Sequence, residues 1–426
     1  MNKERSLTRI LTDKALHTVN LDPEKCRGCV TCMRRCPTEA IRVRNGKASV
    51  DYDRCIGCGE CVRLCPHNAK LPSHDSWDTL DDFKYKIVLP APSLYGQFNN
   101  LDNIDIVLSA LLELGFDEVY EVGLATEYIS SVTKIMLDRN EVKSPVISTA
   151  CPAILELIMM KYHNLQDNLL PVLAPVDVAA KLARERAIAR GIPAEDIGVY
   201  FISPCPAKVF ALKMGIGVNK PYVDRVLSVA DAYMRLVPVM NNLKKTKSLT
   251  KMCATGLRWG VSRGEANAIF HEKTIAADGV ENCVKILEAV EDGSLDDIEF
   301  IELNACTAGC VGGVMNVENP FVARGRLYQL ARKMSTGVNH LTDVGKSKEY
   351  FTWEASPMVK DVFVLDEDRL TAMNKLMEME NVFSKLPQAD CGLCGAPSCR
   401  AFAEDLASGV IPADTKCPRL EEEKNQ

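Results

Sequence analysis

The chain has 426 residues, 47% of them hydrophobic, a formal net charge of −6 and 18 cysteines. That length holds more than one domain and buries a large core. The acidic balance argues against nucleic acid and anionic membranes as partners, and the absence of any apolar run of spanning length argues against a membrane helix. Met1 to Asn20 alternates charged and apolar residues without the apolar stretch of a secretory signal. So many cysteines in such a chain read as metal ligands in a cytoplasmic protein rather than as disulfides.

Residues 1–22 are polar and read as a helix or an arm. Then comes Cys26-x2-Cys29-x2-Cys32-x3-Cys36-Pro37, repeated as Cys55-x2-Cys58-x2-Cys61-x3-Cys65-Pro66. This is the bacterial two-cluster ferredoxin spacing, in which the fourth cysteine of each run ligates the other cluster. One 4Fe–4S cube is expected on Cys26, Cys29, Cys32 and Cys65, the other on Cys36, Cys55, Cys58 and Cys61. Paired zinc sites are the alternative, but zinc patterns lack the third close cysteine and the proline that follows. Asn45-Gly46, between the runs 40–43 and 48–51, signals a hairpin. These features mark residues 1–80 as a ferredoxin-like α+β domain.

From about residue 84 to 335 strands alternate with helices. Strands are expected at 85–90, 118–122, 145–149, 198–202 and 298–303. Helices are expected at Ile104–Leu114, Ala153–Met160, Val176–Arg190 and Val229–Lys244. That alternation predicts α/β layering with a largely parallel sheet over residues 81–335. Four cysteines fall just past strand ends, where open α/β sheets place ligands. Cys151 stands in Ile147-Ser148-Thr149-Ala150-Cys151-Pro152, and Cys205 in Ile202-Ser203-Pro204-Cys205-Pro206-Ala207-Lys208. Cys306 and Cys310 lie in Asn304-Ala305-Cys306-Thr307-Ala308-Gly309-Cys310, after the apolar run from Phe300. Together they would make a four-thiolate cluster site. Cys253 and Cys283 fit no motif and read as buried free thiols. The six histidines show no metal-ligand spacing.

Residues 336–385 are more polar and read as a connection with one helix near Asp366–Glu380. Over 386–426, Cys391-x2-Cys394-x4-Cys399-x17-Cys417-Pro418 has the makings of one more 4Fe–4S site, with a zinc knuckle as the alternative. It resembles the small iron–sulfur domain of electron-transfer complex subunits and corrinoid iron–sulfur proteins.

The three strand-end segments resemble the three active-site motifs of FeFe-hydrogenases. In that family four cysteines hold a 4Fe–4S cube, and the last bridges to a two-iron subsite with carbon monoxide, cyanide and a dithiolate carrying an amine. The resemblance implies that Cys151, Cys205, Cys306 and Cys310 hold the cube, with Cys310 as the bridge, and that Lys208 contacts a cyanide. Ala91-Pro92 resembles another segment that lines the subsite. The C-terminal iron–sulfur domain is similar to that of the sensory subclass. Three departures stand out. The proton-passing cysteine of catalytic members is replaced by Ala150, and methionines packed around the subsite by Ser203 and Asn304. Ser130 and Ser131 stand where an acidic relay is expected.

The resemblance implies an oxidoreductase that interconverts dihydrogen with protons and electrons, slowly, in a hydrogen-sensing role in anaerobic cells. Its cofactors would be three accessory 4Fe–4S clusters and the H-cluster. Its partners would be a redox protein such as ferredoxin, the hydrogenase maturases and a signalling protein, with room for a homodimer. The alternative is a non-enzymatic hydrogenase-like iron–sulfur assembly or electron-carrier protein.

Overall fold

The computed structural model describes residues 18–424, so most of the arm read over residues 1–22 lies outside the described residues. The chain divides into two compact units. One runs from Pro72 to Met358; the other joins Val19–Leu71 to the chain beyond Val359. No helix among the described residues is long and apolar enough to cross a membrane. In chain order the strands begin with β1 (Val19–Leu21), β2 (Ile41–Arg44), β3 (Lys47–Val50) and β4 (Lys70–Pro72). They continue with β5 (Tyr85–Pro90), β6 (Glu118–Val119), β7 (Val146–Ile147) and β8 (Ile197–Ser203). The last are β9 (Arg225–Ser228), β10 (Thr274–Asp278) and β11 (Phe300–Asn304).

The larger unit holds two parallel sheets instead of one. The first has the strand order β6-β5-β8-β9 and the second β10-β11-β7. Every residue of β8 is buried, as expected of a strand covered by helices on both faces. Leu89, Phe201 and Phe300 are at most 1% exposed, and each such side chain contributes about 1.5–3 kcal/mol by leaving water.

The strands β9 and β10 and one long helix are among the elements that escaped the sequence reading. β9 is a short run that passes straight into the helix Val229–Asn242. β10 is only half-buried, so its pattern lacks a clear apolar face. The helix Val122–Asp138 is rich in Gly, Thr, Ser and β-branched residues, which are weak helix formers. It forms because most of its residues are buried against the core, so packing overrides propensity. The segment 336–385 is more than a connection. Phe351 is fully buried, and its carbonyl accepts from the Leu173 amide at 2.8 Å. Trp353 donates its amide to the Pro171 carbonyl at 3.1 Å.

In the smaller unit the hairpin of β2 and β3 pairs in the register Ile41↔Val50. Asn45 and Gly46 turn it with φ of 51° and 71°, the geometry such a dipeptide favours. The C-terminal module packs on this hairpin. Val43 donates its amide to the Gly395 carbonyl at 2.9 Å. Gly395 has φ 80°, and a Cβ there would lie 1.9 Å from the Val43 oxygen, so only glycine allows the approach. Arg42 and Arg44 both pair with the buried Asp405, and Arg54 pairs with Glu404. The helix Arg369–Phe383, capped by Asp368 through the Thr371 amide at 2.8 Å, packs against the helix Cys399–Ala407.

Candidate active site and cluster sites

Cys151 and Cys205 are built alike. Each is the N-cap of a helix whose first residue is proline, Pro152–Lys161 and Pro206–Met214. Proline at the first position is pre-set for helix and gives up an amide that would lack a partner. Burial pushes the Cys205 thiol up, against the pull of Lys208. Cys306 and Cys310 sit in the turn after β11. Gly309 has φ 86°, and a Cβ there would lie 2.4 Å from the Ser262 nitrogen. The loop can therefore fold tightly between its two thiols only with glycine at that point.

Lys208, two residues past the start of the second helix, points its ammonium at the Cys310 sulfur, 3.6 Å away. Burial alone would pull this amine down. The thiolates of Cys310, Cys205, Cys151 and Cys306 outweigh burial and hold it above the ordinary lysine range. One buried lysine thus feels all four strand-end cysteines.

Beyond Cys310 and Lys208 opens a cavity with an empty volume of about 830 Å³. Ala91, Pro92, Ser93, Ala150, Trp259 and Trp353 are among its walls. Cys151, Cys205 and Cys306 do not line it. The Ser93 hydroxyl is fully buried and has no hydrogen-bond partner among the described residues. An orphaned donor in such a wall is costly unless a polar group fills the space. The donor set here, one thiol, one ammonium and one buried hydroxyl in a mostly apolar wall that also carries Asp177, Thr126 and Thr149, fits a compact metal group with polar ligands.

Two expected neighbours of that group are elsewhere. Ser203 is fully buried, but its hydroxyl donates to the Cys205 carbonyl at 3.0 Å and accepts from the Cys205 amide at 3.2 Å. Asn304 donates its side-chain amide to Glu302 at 2.7 Å. Neither lines the cavity. A short polar side chain at a strand end satisfies local groups, where a methionine would have reached outward. Ser130 and Ser131 bond back to the carbonyls of Thr126 and Glu127 in their own helix.

The sequence reading missed the acids behind Ala150. Ser148 donates to Glu265 at 2.5 Å and accepts from the Ala150 amide at 3.3 Å. Glu265 is buried next to the equally buried Glu302. Burial and then Glu302 push the Glu265 carboxyl up; burial pushes Glu302 up against its hydrogen bonds from Ala266, Asn304 and Arg263. Glu302 interrupts the apolar run Phe300-Ile301-Glu302-Leu303, and that interruption was the available signal.

The smaller unit holds three further thiol-lined cavities. Cys36, Cys55, Cys58 and Cys61 line one of about 360 Å³. Cys26, Cys29, Cys32 and Cys65 line another of about 290 Å³, and Cys391, Cys394, Cys399 and Cys417 a third of about 330 Å³. Among the described residues no three His, Cys, Asp or Glu side chains are grouped for a single metal ion. In the second cavity Lys70 is 2% exposed, and its ammonium has no hydrogen-bond partner among the described residues. Amides already point at sulfur, Ala40 to Cys36 at 3.3 Å and Ala69 to Cys65 at 3.2 Å, as around protein-bound clusters.

The family model described as the iron only hydrogenase large subunit, C-terminal domain, matches residues 84–314, more than half of the chain. The chain belongs to the iron-only hydrogenase family. A 4Fe-4S dicluster domain model matches residues 18–66, and an Fe-S cluster model residues 386–419. The hydrogenase core is similar in fold to a variant of the FeFe-hydrogenase HydA1 from Chlamydomonas reinhardtii, at 15% identity and a TM-score of 0.50, over 66% of this chain and 95% of that one. It is equally similar to an FeFe-hydrogenase solved in connection with oxygen damage to its two-iron subcluster, at 15% identity and 0.50, over 68% and 97%. At such identity the likeness speaks for the fold. No curated protein sequence matches the chain.

Proposed function

We propose that this iron-only hydrogenase interconverts dihydrogen with two protons and two electrons, slowly, as a hydrogen sensor. The observation that carries the reading is the cavity past Cys310, with Lys208 and the unpartnered Ser93 hydroxyl in its wall. Cys151, Cys205, Cys306 and Cys310 would hold a 4Fe–4S cube, and Cys310 would also hold a two-iron group. When bound, that group supplies the metal centre and basic amine at which hydrogen is made or split. Lys208 and Ser93 would donate to its polar ligands, and the apolar wall would exclude water. Ala91 and Pro92 shape one side.

Proton supply falls to the chain. Ala150 has a methyl where a relay needs a group that changes protonation. Glu265 and Ser148 lie directly behind it. Glu265 with Glu302 would hold a proton and the Ser148 hydroxyl, which donates to Glu265 and accepts from the Ala150 amide, would carry it no farther than its own oxygen, short of the cavity. A route that stops there is slow, which suits a reporter better than a producer. Clusters on the three thiol sets of the smaller unit would carry electrons to and from a ferredoxin-type carrier, with a signalling protein as the further partner. The two-iron group would come from the hydrogenase maturases.

Infrared spectroscopy of the matured chain tests the reading. Bands of metal-bound carbon monoxide and cyanide, changing under hydrogen, are the expected result. Matured protein with full iron content and no such bands would leave only an iron–sulfur carrier.

A further inference from the structure

Asp177 lies in the wall of the same cavity. It is 4% exposed, and its carboxyl has no hydrogen bond or ion pair among the described residues. Val172, Leu212, Ile216 and Trp353 are in the same wall. Burial first, and the negative charge of Glu354 second, push this carboxyl up to about 7. Asp177 is the third residue of the helix Pro175–Ala189, where free amides commonly receive a carboxylate. It accepts none of them, so an N-terminal capping role does not account for it.

Glu354 provides the link outward. It is partly exposed and ionised, accepting from Lys181 at 2.9 Å, Tyr222 at 2.6 Å and the Asn219 amide at 3.1 Å. Glu354 and Tyr222 are the titratable groups that interact with Asp177, and Lys181 stands one turn along its own helix. The thiols and Lys208 are not among the charges that act on it.

We propose that Asp177 is a second proton-holding residue for the hydrogen reaction, the inner end of a path that meets solvent at Glu354. The proposal rests on the hydrogenase reading above. In hydrogen evolution the Asp177 O–H bond breaks and its proton enters the cavity. The carboxylate left behind is reprotonated from the Glu354 side. Two protons delivered in this way, with two electrons from the clusters, make one dihydrogen. In oxidation a proton from the cavity lands on Asp177 and leaves past Glu354. A carboxyl that titrates near neutrality can both give and take a proton.

The test uses the matured holoprotein as wild type, Asp177→Asn and Asp177→Glu. Infrared difference spectra between hydrogen and argon should contain a protonated-carboxyl stretch that shifts in heavy water. It should vanish in Asp177→Asn and move to the glutamic acid position in Asp177→Glu. Turnover from about pH 5 to 9 should show an inflection near 7 in wild type. That inflection should be lost in Asp177→Asn, with a fall on the order of 100-fold, and regained in Asp177→Glu. If the carbon monoxide and cyanide bands are present but the pH profile of Asp177→Asn matches wild type, the proposal is overturned. If Asp177→Asn does not fold, an unmoved carboxyl band in Asp177→Glu overturns it instead. Wild type without the diatomic bands would sink the hydrogenase reading itself.

Discussion

The Ser148 hydroxyl meets the Glu265 carboxyl at 2.5 Å, across 117 residues of chain. The contact places a buried acid directly behind the stretch that bears Ala150 and Cys151. An acid therefore stands behind position 150 even though the chain has no thiol there.

Ala150→Cys should raise hydrogen turnover in both directions, because a thiol, with its ordinary pKa of about 8.5, can relay protons and a methyl cannot. Glu265→Gln should lower the residual wild-type rate with the infrared bands intact. Evolution and uptake assays at matched iron content decide. A Glu265→Gln protein as fast as wild type would exclude this acid from the route.

Stability should fall as pH rises. Burial raises Glu265 and Glu302 in the folded chain. A raised acid keeps its proton when folded but loses it when unfolded, above about pH 4.3. Its contribution is thus complete below that value and disappears as pH rises through the folded pKa. The loss is about 1.4 kcal/mol for each pH unit that separates the folded from the unfolded value. Urea unfolding of the chain without its two-iron group, at about pH 4 and about pH 9, on either side of that window, should show the loss. Glu265→Gln should flatten it.

Asn304→Met should leave the carbon monoxide and cyanide bands in place, because the Asn304 side-chain amide is turned to Glu302. Removing that donor lifts Glu302 further, so the pH dependence of turnover should move upward. A band shift in this variant would mean that position 304 reaches the two-iron group after all.

Asp405 takes both Arg42 and Arg44 while nearly buried. Asp405→Ala leaves two arginines without their partner and should cost about 3–5 kcal/mol. The expected result is a C-terminal module that proteases remove, with the loss of about four irons and both ferredoxin-type signals retained in paramagnetic resonance. Unchanged protease resistance would show that the hairpin contacts do not hold the module.

Much of the site was open to sequence reading because clusters demand fixed ligands in fixed settings. The two Cys-x2-Cys-x2-Cys-x3-Cys-Pro runs, the Pro after Cys151 and Cys205, and Gly309 between two thiols all express local backbone needs. The hairpin at Asn45-Gly46 was legible for the same reason. Ser203 and Asn304 were misplaced because residue type does not show where a short polar side chain finds its partner.

By itself the sequence determined the family, the α/β core with its flanking iron–sulfur modules, and the thiols that border the three cavities of the smaller unit. These depend on residues close in the chain or on motifs whose spacing is set by local geometry. Tertiary structure alone decided that β10-β11-β7 form a separate sheet, and that Gly395 seats the last module on the ferredoxin hairpin. It also decided that Ser148 meets Glu265, and that Trp353 and Asp177 close the cavity. Those contacts join positions tens to hundreds of residues apart. Each is governed by which buried polar group can find a partner once the core has packed.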